Sequence, residues 1–325
     1  RTPTEGDVAA KHGAIRGKGE SRRIKGAYVL TQNDVLKQEN FEDRVAYGGW
    51  PLDDHLPAGM DDTSLSPFRS IPLKGPYSIP LRCLYSNSVD NLVMAGRNIS
   101  VTHVALSTTR VMATCATLGQ AIGTAVAFAV NNKIKVNEIV KNKTTLNNYQ
   151  QILLRQDQAI LNVKNSDPND RALLATISAS KEPDGGRAVL VIDGINRDIA
   201  DGNIHQWRAD MSSGEQYLEL TWKKIQDLAV VELTFDTGLN RHLRLSGESG
   251  TMKSQVRGPQ PETISDYVIE LYLKDKLLNK IVVADNFLRK INHHFDQIKV
   301  DRVRFVAKKT HGDNLAKLFE IRCYS

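Results

Sequence analysis

Between Lys164 and Asn169 the sequence changes its periodicity, and that change constrains the fold more than any other feature. Before it, the chain is broken by glycine and proline and then runs into one long apolar segment, Ser107 to Asn131, in which Ala116, Gly119, Gly123 and Ala127 recur at helical spacing. After it, short β-branched and aromatic segments alternate in polarity and are separated by turn residues, with little helical pattern between them. The segment Lys164-Asn165-Ser166-Asp167-Pro168-Asn169 reads as the linker between two units, 1–163 and 164–325. At 325 residues the chain also exceeds the size that one core usually serves. The expectation is a multidomain α+β protein.

In the first unit, the density of Gly and Pro before residue 90 excludes long regular elements, although Tyr28, Leu30, Phe41, Val45 and Trp50 require a core. Loops, short strands and one short helix are expected there, with Thr31-Gln32-Asn33-Asp34 before Val35 and Leu36 suggesting its N-cap. Next come a short strand over Leu92–Met94, the turn Ala95-Gly96-Arg97-Asn98, and the long helix from Ser107. A glycine turn leading into a helix start presents free backbone N–H groups to an anion. The small-residue stripe would let a sheet or a cofactor approach that helix, or would simply pack tightly in a core. A glycine-rich turn after a first strand, with an acidic residue about 20 positions on, occurs nowhere in the sequence. The chain therefore reads as the back half of a larger assembly.

The second unit carries eight expected strands, at Ala172–Ser178, Val189–Ile192, Gln216–Trp222, Ala229–Phe235, Tyr267–Leu273, Lys280–Val283, Gln297–Val306 and Leu318–Tyr324. Their even spacing indicates an antiparallel jelly-roll sandwich.

Charge and cysteine content narrow the function classes. A net charge of +6, with basic and acidic residues interspersed, provides no basic stripe for nucleic acid. Cys83, Cys115 and Cys323 are too scattered for a disulfide framework or a zinc site, and no metal is expected. Thr114, Thr117, Gln120 and Thr124 interrupt the apolar run at Val111–Val130, which favours a core helix over a membrane span.

Four ordered blocks, Glu20 to Thr31, Tyr47-Gly48-Gly49-Trp50-Pro51-Leu52-Asp53-Asp54-His55, Pro76 to Arg82, and Asn91 to Ala129, resemble the C-terminal half of bacterial FAD-dependent oxidoreductases of the glutathione-reductase type. The resemblance covers about residues 10–160 and implies a partial FAD-binding α/β unit whose N-terminal Rossmann part is absent. It implies FAD as cofactor, with Ala95, Gly96 and Arg97 closing the flavin site and Asn98 and Ser100 beside the ribityl and phosphate region. It further places backbone N–H groups near Thr108, Thr109 and Arg110 at the flavin pyrimidine edge, with the missing dinucleotide-binding segment as partner. Arg110 could instead make a salt bridge at a helix entry.

His55 and His103 are the histidines inside these blocks and the candidates for moving a proton, each with a purely structural alternative. Arg22 and Arg23 are candidates for gripping a carboxylate or hydroxylated substrate. A bacterial periplasmic or secreted location is the expectation, with the cytoplasm as alternative.

In the second unit, Val191-Ile192-Asp193-Gly194, Gln206-Trp207, Gln216 to Leu220 and Val230 to Phe235 resemble, more loosely, discoidin-like (galactose-binding-like) modules. That implies carbohydrate binding by loops at one end of the sandwich, with Trp207, Arg208 and the loop Asn240–Pro261 as candidates. Asp193, Gly194 and Trp207 are equally explicable as turn and core residues. The expected function is a fragment of an FAD-dependent oxidoreductase acting by hydride transfer on a polar or carbohydrate-derived small molecule, with an appended carbohydrate-binding or docking domain. The alternative is a carbohydrate-binding interaction protein without catalysis.

Overall fold

The computed structural model describes residues 22–55, 64, 66, 68–183, 185–199, 202–241 and 247–325. The chain divides into two compact units, the first ending at Val163 and the second beginning at Lys164.

The first unit is assembled from short pieces. Helix α1, Gln32–Lys37, starts where Thr31 and Asp34 cap each other: Thr31 N donates to Asp34 Oδ2 at 2.8 Å and Asp34 N to Thr31 Oγ1 at 3.3 Å. Two antiparallel pairs follow, β1 (Arg44–Gly48) with β4 (Tyr77–Pro80) and β2 (Leu52–His55) with β3 (Phe68–Ile71). Helices α2 (His103–Thr109), α3 (Met112–Asn132) and α4 (Lys143–Arg155) complete the unit. Leu30, Val45, Leu52, Ile79, Leu118, Ala121, Ala125, Tyr149 and Leu153 form one core in which the strand pairs and α3 and α4 meet. Helix α3 is long and apolar enough to cross a membrane. Its buried stripe, Leu118, Ala121, Ile122, Ala125 and Ala129, belongs to this core, and Tyr149 donates to Ala121 O at 2.7 Å.

Two expectations change here. The segment Leu92–Met94 is not a buried strand: Val93 makes one isolated bridge to Tyr85, and Leu92 is exposed. The helix expected from Ser107 is two helices, because Arg110 leaves the helix and Val111 is extended at φ −68°, ψ 145°. Fixed polar contacts hold that break. Thr102 accepts from Ala105 N and starts α2 early, while the Thr108 hydroxyl donates to Trp50 O and lies 3.0 Å from Tyr77 Oη.

The second unit is an antiparallel sandwich built on two long bent strands, β7 (Gln216–Phe235) and β10 (Lys290–Thr310). Gln216–Thr221 pairs with Arg302–Ala307, and Gln226–Thr234 with Lys290–Val300, so each strand runs through both layers. On one layer they are flanked by β5 (Thr176–Ala179), β8 (Ile264–Leu273) and β9 (Lys276–Val283). On the other they are flanked by β11 (Leu315–Tyr324) and β6 (Trp207–Asp210). The layers meet through aromatic rings: Phe235 lies 5.1 Å from Tyr267 and 6.2 Å from Phe305, and Trp207 lies 6.4 Å from Phe305. A short helix, α5 (Ser249–Ser254), lies in the loop after β7. The expected strand at Val189–Ile192 is instead a 3-10 turn, and the two expected strands Gln216–Trp222 and Ala229–Phe235 are one.

Candidate functional site

The turn Gly96-Arg97-Asn98 is a single 3-10 turn whose glycine adopts φ +71°, a conformation side-chain-bearing residues rarely take. A Cβ on Gly96 would lie 3.8 Å from Cys115 Sγ, so the turn faces the first turn of α3. The main chain of Ile24 donates to Asn98 O at 2.8 Å, which draws the Arg22-Arg23 segment alongside. Arg22 and Arg97 are exposed, Arg23, Ala95 and Asn98 half-buried, and Ser100 buried.

The first turn of α3 is the notable part. Val111, at its N-cap position, offers no side-chain acceptor, and Met112 is 85% exposed. The N–H groups of Met112, Ala113 and Thr114 are the ones that a helix start leaves without intrahelical partners. This relocates a sequence-based assignment. Thr108 and Thr109 lie at the C-terminal end of α2, fully buried, so their N–H groups are consumed inside that helix. The free donors of this region belong to α3, four residues later. Thr109 nonetheless keeps a buried hydroxyl without a hydrogen-bond partner among the described residues. The positive-φ glycine turn and the uncapped donors of α3 are the features here that could meet an anionic or carbonyl-bearing group.

Strand β2 supplies the titratable groups. Leu52 and Asp54 face inward, whereas Asp53 and His55 face outward. On the inner side, Asp54 is buried with its Oδ1 3.4 Å from His103 Nε2 and its Oδ2 accepting from Arg69 at 3.3 Å. On the outer side, Asp53 Oδ2 lies 3.6 Å from His55 Nε2 and 3.7 Å from an Arg110 guanidinium nitrogen, which also donates to Asp53 O at 3.3 Å. Both candidate histidines therefore sit beside a carboxylate, and Arg110 makes the salt bridge that the sequence reading held as its alternative. Trp50 and Phe68 are exposed nearby in sequence and pairing, Phe68 opposite His55. Cys115, half-buried under the turn, has its thiol pushed up by burial, with Arg97 opposing the shift.

Residues 4–153 match the model of the FAD dependent oxidoreductase family. The match falls within the first unit. No curated protein matches the chain.

Among solved structures, a Streptococcus pneumoniae fucose binding module, SpX-3, is similar at 13% identity and TM-score 0.37, covering 48% of this chain and 97% of its own. The family 32 CBM from C. perfringens NanJ in complex with galactose is similar at 19% identity and TM-score 0.34, covering 47% of this chain and 96% of its own. The lectin domain of Lectinolysin complexed with Lewis B antigen is similar at 12% identity and TM-score 0.36, covering 48% and 96%.

In the second unit the sandwich end beyond Phe235 is tied together by its loops. Thr263 donates to Asp236 O at 3.1 Å, Asn286 N to Ser265 O at 2.8 Å and His311 N to Thr263 O at 3.1 Å. Leu239, Phe287 and Leu288 are exposed in these loops, and Arg241 pairs with Glu262. Part of the Asn240–Pro261 loop, residues 242–246, lies outside the described residues.

Trp207 is fully buried, with Nε1 donating to Lys181 O at 3.1 Å, so its ring has no face left for a ligand and it serves the core. Arg208 is half-buried, with a buried Nε lacking a hydrogen-bond partner among the described residues, and remains a binding candidate. Asp193 and Gly194 are turn residues: Asp193 accepts from Ile195 N at 2.8 Å and meets His205 Nδ1 at 2.6 Å, while Gly194 has φ +84°. The exposed side chains of the 286–288 loop escaped the sequence reading because Asn286, which shapes that loop through Ile264 O and Leu288 N, carries no motif.

Proposed function

We propose that the first unit forms one wall of a flavin site in an oxidoreductase that transfers hydride to or from a polar small molecule, and that the second unit docks the protein on carbohydrate. The observation that carries the reading is the Gly96 turn set against the uncapped first turn of α3, within residues that match the FAD dependent oxidoreductase family. FAD, when bound, supplies a two-electron centre that accepts or gives hydride. The N–H groups of Met112–Thr114 would stabilise negative charge at its edge, and Ala95, Gly96, Arg97, Asn98 and Ser100 would line the approach. A dinucleotide-binding segment is the partner for the opposite wall.

His103, partly exposed and backed by a buried carboxylate, is the better placed of the two histidines to hold or release a proton, with His55 next. Arg22 and Arg23, drawn beside the turn, would orient an oxygen-rich substrate. In the second unit, the exposed Leu239, Phe287 and Leu288 would suit the apolar face of a sugar ring, and Arg241 and Arg208 its hydroxylated rim.

The test is spectroscopic. The full-length protein carrying this chain should show flavin absorption near about 450 nm, and replacing Gly96 by Val should diminish it. A full-length protein that neither contains nor takes up FAD sinks the enzyme reading. Glycan-array screening of the chain, with silence across neutral and acidic glycans, removes the docking role.

The second reading, a binding protein without catalysis, is favoured by the self-contained core of the second unit. Glycan binding together with absence of flavin would establish it.

A further inference from the structure

Asp54 is an unusual residue to find where it is. Its side chain is 8% exposed and touches two groups of opposite character, the Arg69 guanidinium through Oδ2 and the His103 imidazole, 3.4 Å from Oδ1. Oδ1 is buried and has no hydrogen bond among the described residues, and the His103 imidazole is an ionisable neighbour at that oxygen. His103 itself is 29% exposed, in front of Asp54, while Arg69 on the other side is 59% exposed. Register fixes the arrangement: Asp54 and Arg69 are directly opposed in the β2–β3 ladder, and His103 is the first residue of α2, which packs on β2.

We propose that Asp54 is the positioning residue for His103, a carboxylate behind the imidazole that holds its protonated form in place, with Arg69 setting how much of that charge the imidazole feels. Asp54 does this without meeting a substrate, since its side chain is buried. The inference rests on the flavin-site reading above, because it assigns the proton-holding role of that site to His103 in preference to His55. The outer pair differs in kind: the Asp53 side chain is 32% exposed and shares its carboxylate with Arg110, so solvent and a cation both weaken its hold on His55.

The charged groups on elements packed against His103 are Asp54 and Asp53 on β2, with Arg69 on the paired strand. The 96–98 turn adds Arg97, α1 adds Asp34 and Lys37, and Arg110 closes α2 itself. Asp34 is occupied by the Thr31 cap and Arg110 turns toward Asp53, so among the described residues Asp54 is the carboxylate beside the imidazole.

The experiment follows the His103 imidazole by nitrogen-resolved NMR titration of the whole chain, its signal assigned by loss in His103→Gln. In Asp54→Asn the His103 midpoint should fall by about one pH unit or more, the scale expected when an opposite charge at this distance is removed. In Arg69→Gln it should rise, because the carboxylate is then no longer shared. A role confined to holding the fold predicts no such pair of opposite shifts.

A midpoint unmoved in Asp54→Asn, or lowered in Arg69→Gln, overturns the proposal. Should Asp54→Asn fail to fold, the sign of the Arg69→Gln shift decides alone. The titration needs no flavin, so its failure is distinguishable from failure of the oxidoreductase reading, which the absorption spectrum reports.

Discussion

Neutralising Asp170 should remove a pH dependence from the second unit and leave the first unit untouched. Asp170 is 1% exposed and ties the start of the sandwich to its last strand: Oδ1 accepts from Ala172 N and Cys323 N, both at 3.0 Å, and Oδ2 from Asn165 Nδ2 at 2.8 Å. Burial pushes its carboxyl up to about 6, and the three donors together with Arg322 offset only part of that. A folded-state pKa above the unfolded value favours the protonated form in the folded protein. The associated stability is therefore fully present below the unfolded pKa, near 3.8, and is lost as pH rises through about 6.

The span of roughly two pH units corresponds to about 3 kcal/mol. In Asp170→Asn that slope should vanish. The variant should also lose about 1–3 kcal/mol at low pH, because its amide turns a donor toward the Asn165 amide. His293 opposes this trend: burial lowers its pKa, so its contribution is present above its unfolded value and lost as pH falls through the lowered one. The difference between wild type and Asp170→Asn isolates the carboxylate.

Cys83 and Cys323, both fully buried, lie one in each unit and make a unit-resolved assay: denaturant melts between pH 4 and 7, each read by a brief thiol-labelling pulse and mass spectrometry. Parallel pH slopes at Cys323 in wild type and variant would refute the argument, as would an equal slope at Cys83.

Gly48→Ala should destabilise the first unit by about 1–3 kcal/mol, since the added Cβ would come within 2.5 Å of Tyr77 Cζ and displace a buried ring bonded to Thr108; Cys83 labelling measures it. Tyr149→Phe should cost about 1 kcal/mol by the same readout, through loss of the buried hydrogen bond to Ala121 O that joins α4 to α3. Trp207→Phe should lower the Cys323 midpoint while leaving any glycan binding in place, because the indole fills the core and bonds Lys181 O; loss of glycan binding at unchanged stability would contradict its placement.

What could be read from the sequence was what local chemistry decides. Thr31 and Asp34 lie three residues apart and cap each other, so that helix start was legible. The alternation of Gln216–Trp222 likewise specified a strand with one buried face. The break between α2 and α3 was hidden because the group that holds Thr108 is Trp50 O, 58 residues away in sequence. Val189–Ile192 has strand-like composition but folds as a 3-10 turn under tertiary packing: Val191 enters the core, while Val189 stays exposed. The small-residue stripe of α3 was legible, yet an added Cβ at Gly119 or Gly123 would meet nothing among the described residues. For the site, the residue types were visible in Asp53, Asp54 and His55. Which carboxylate faces which histidine depended on the β2–β3 register and on where α2 begins.

Continuity of β7 and β10 through both layers limits how this sandwich can be altered. A single residue inserted midway along β7 would put its two layers out of register by one, so the inward set of one layer, Leu218 and Leu220 or Val231 and Leu233, would be turned to water. Length variation is instead tolerable at the ends, in stretches such as 236–263. The same two ribbons that make the scaffold brittle to insertion leave its tips free to diversify, and new recognition in this fold would arise there.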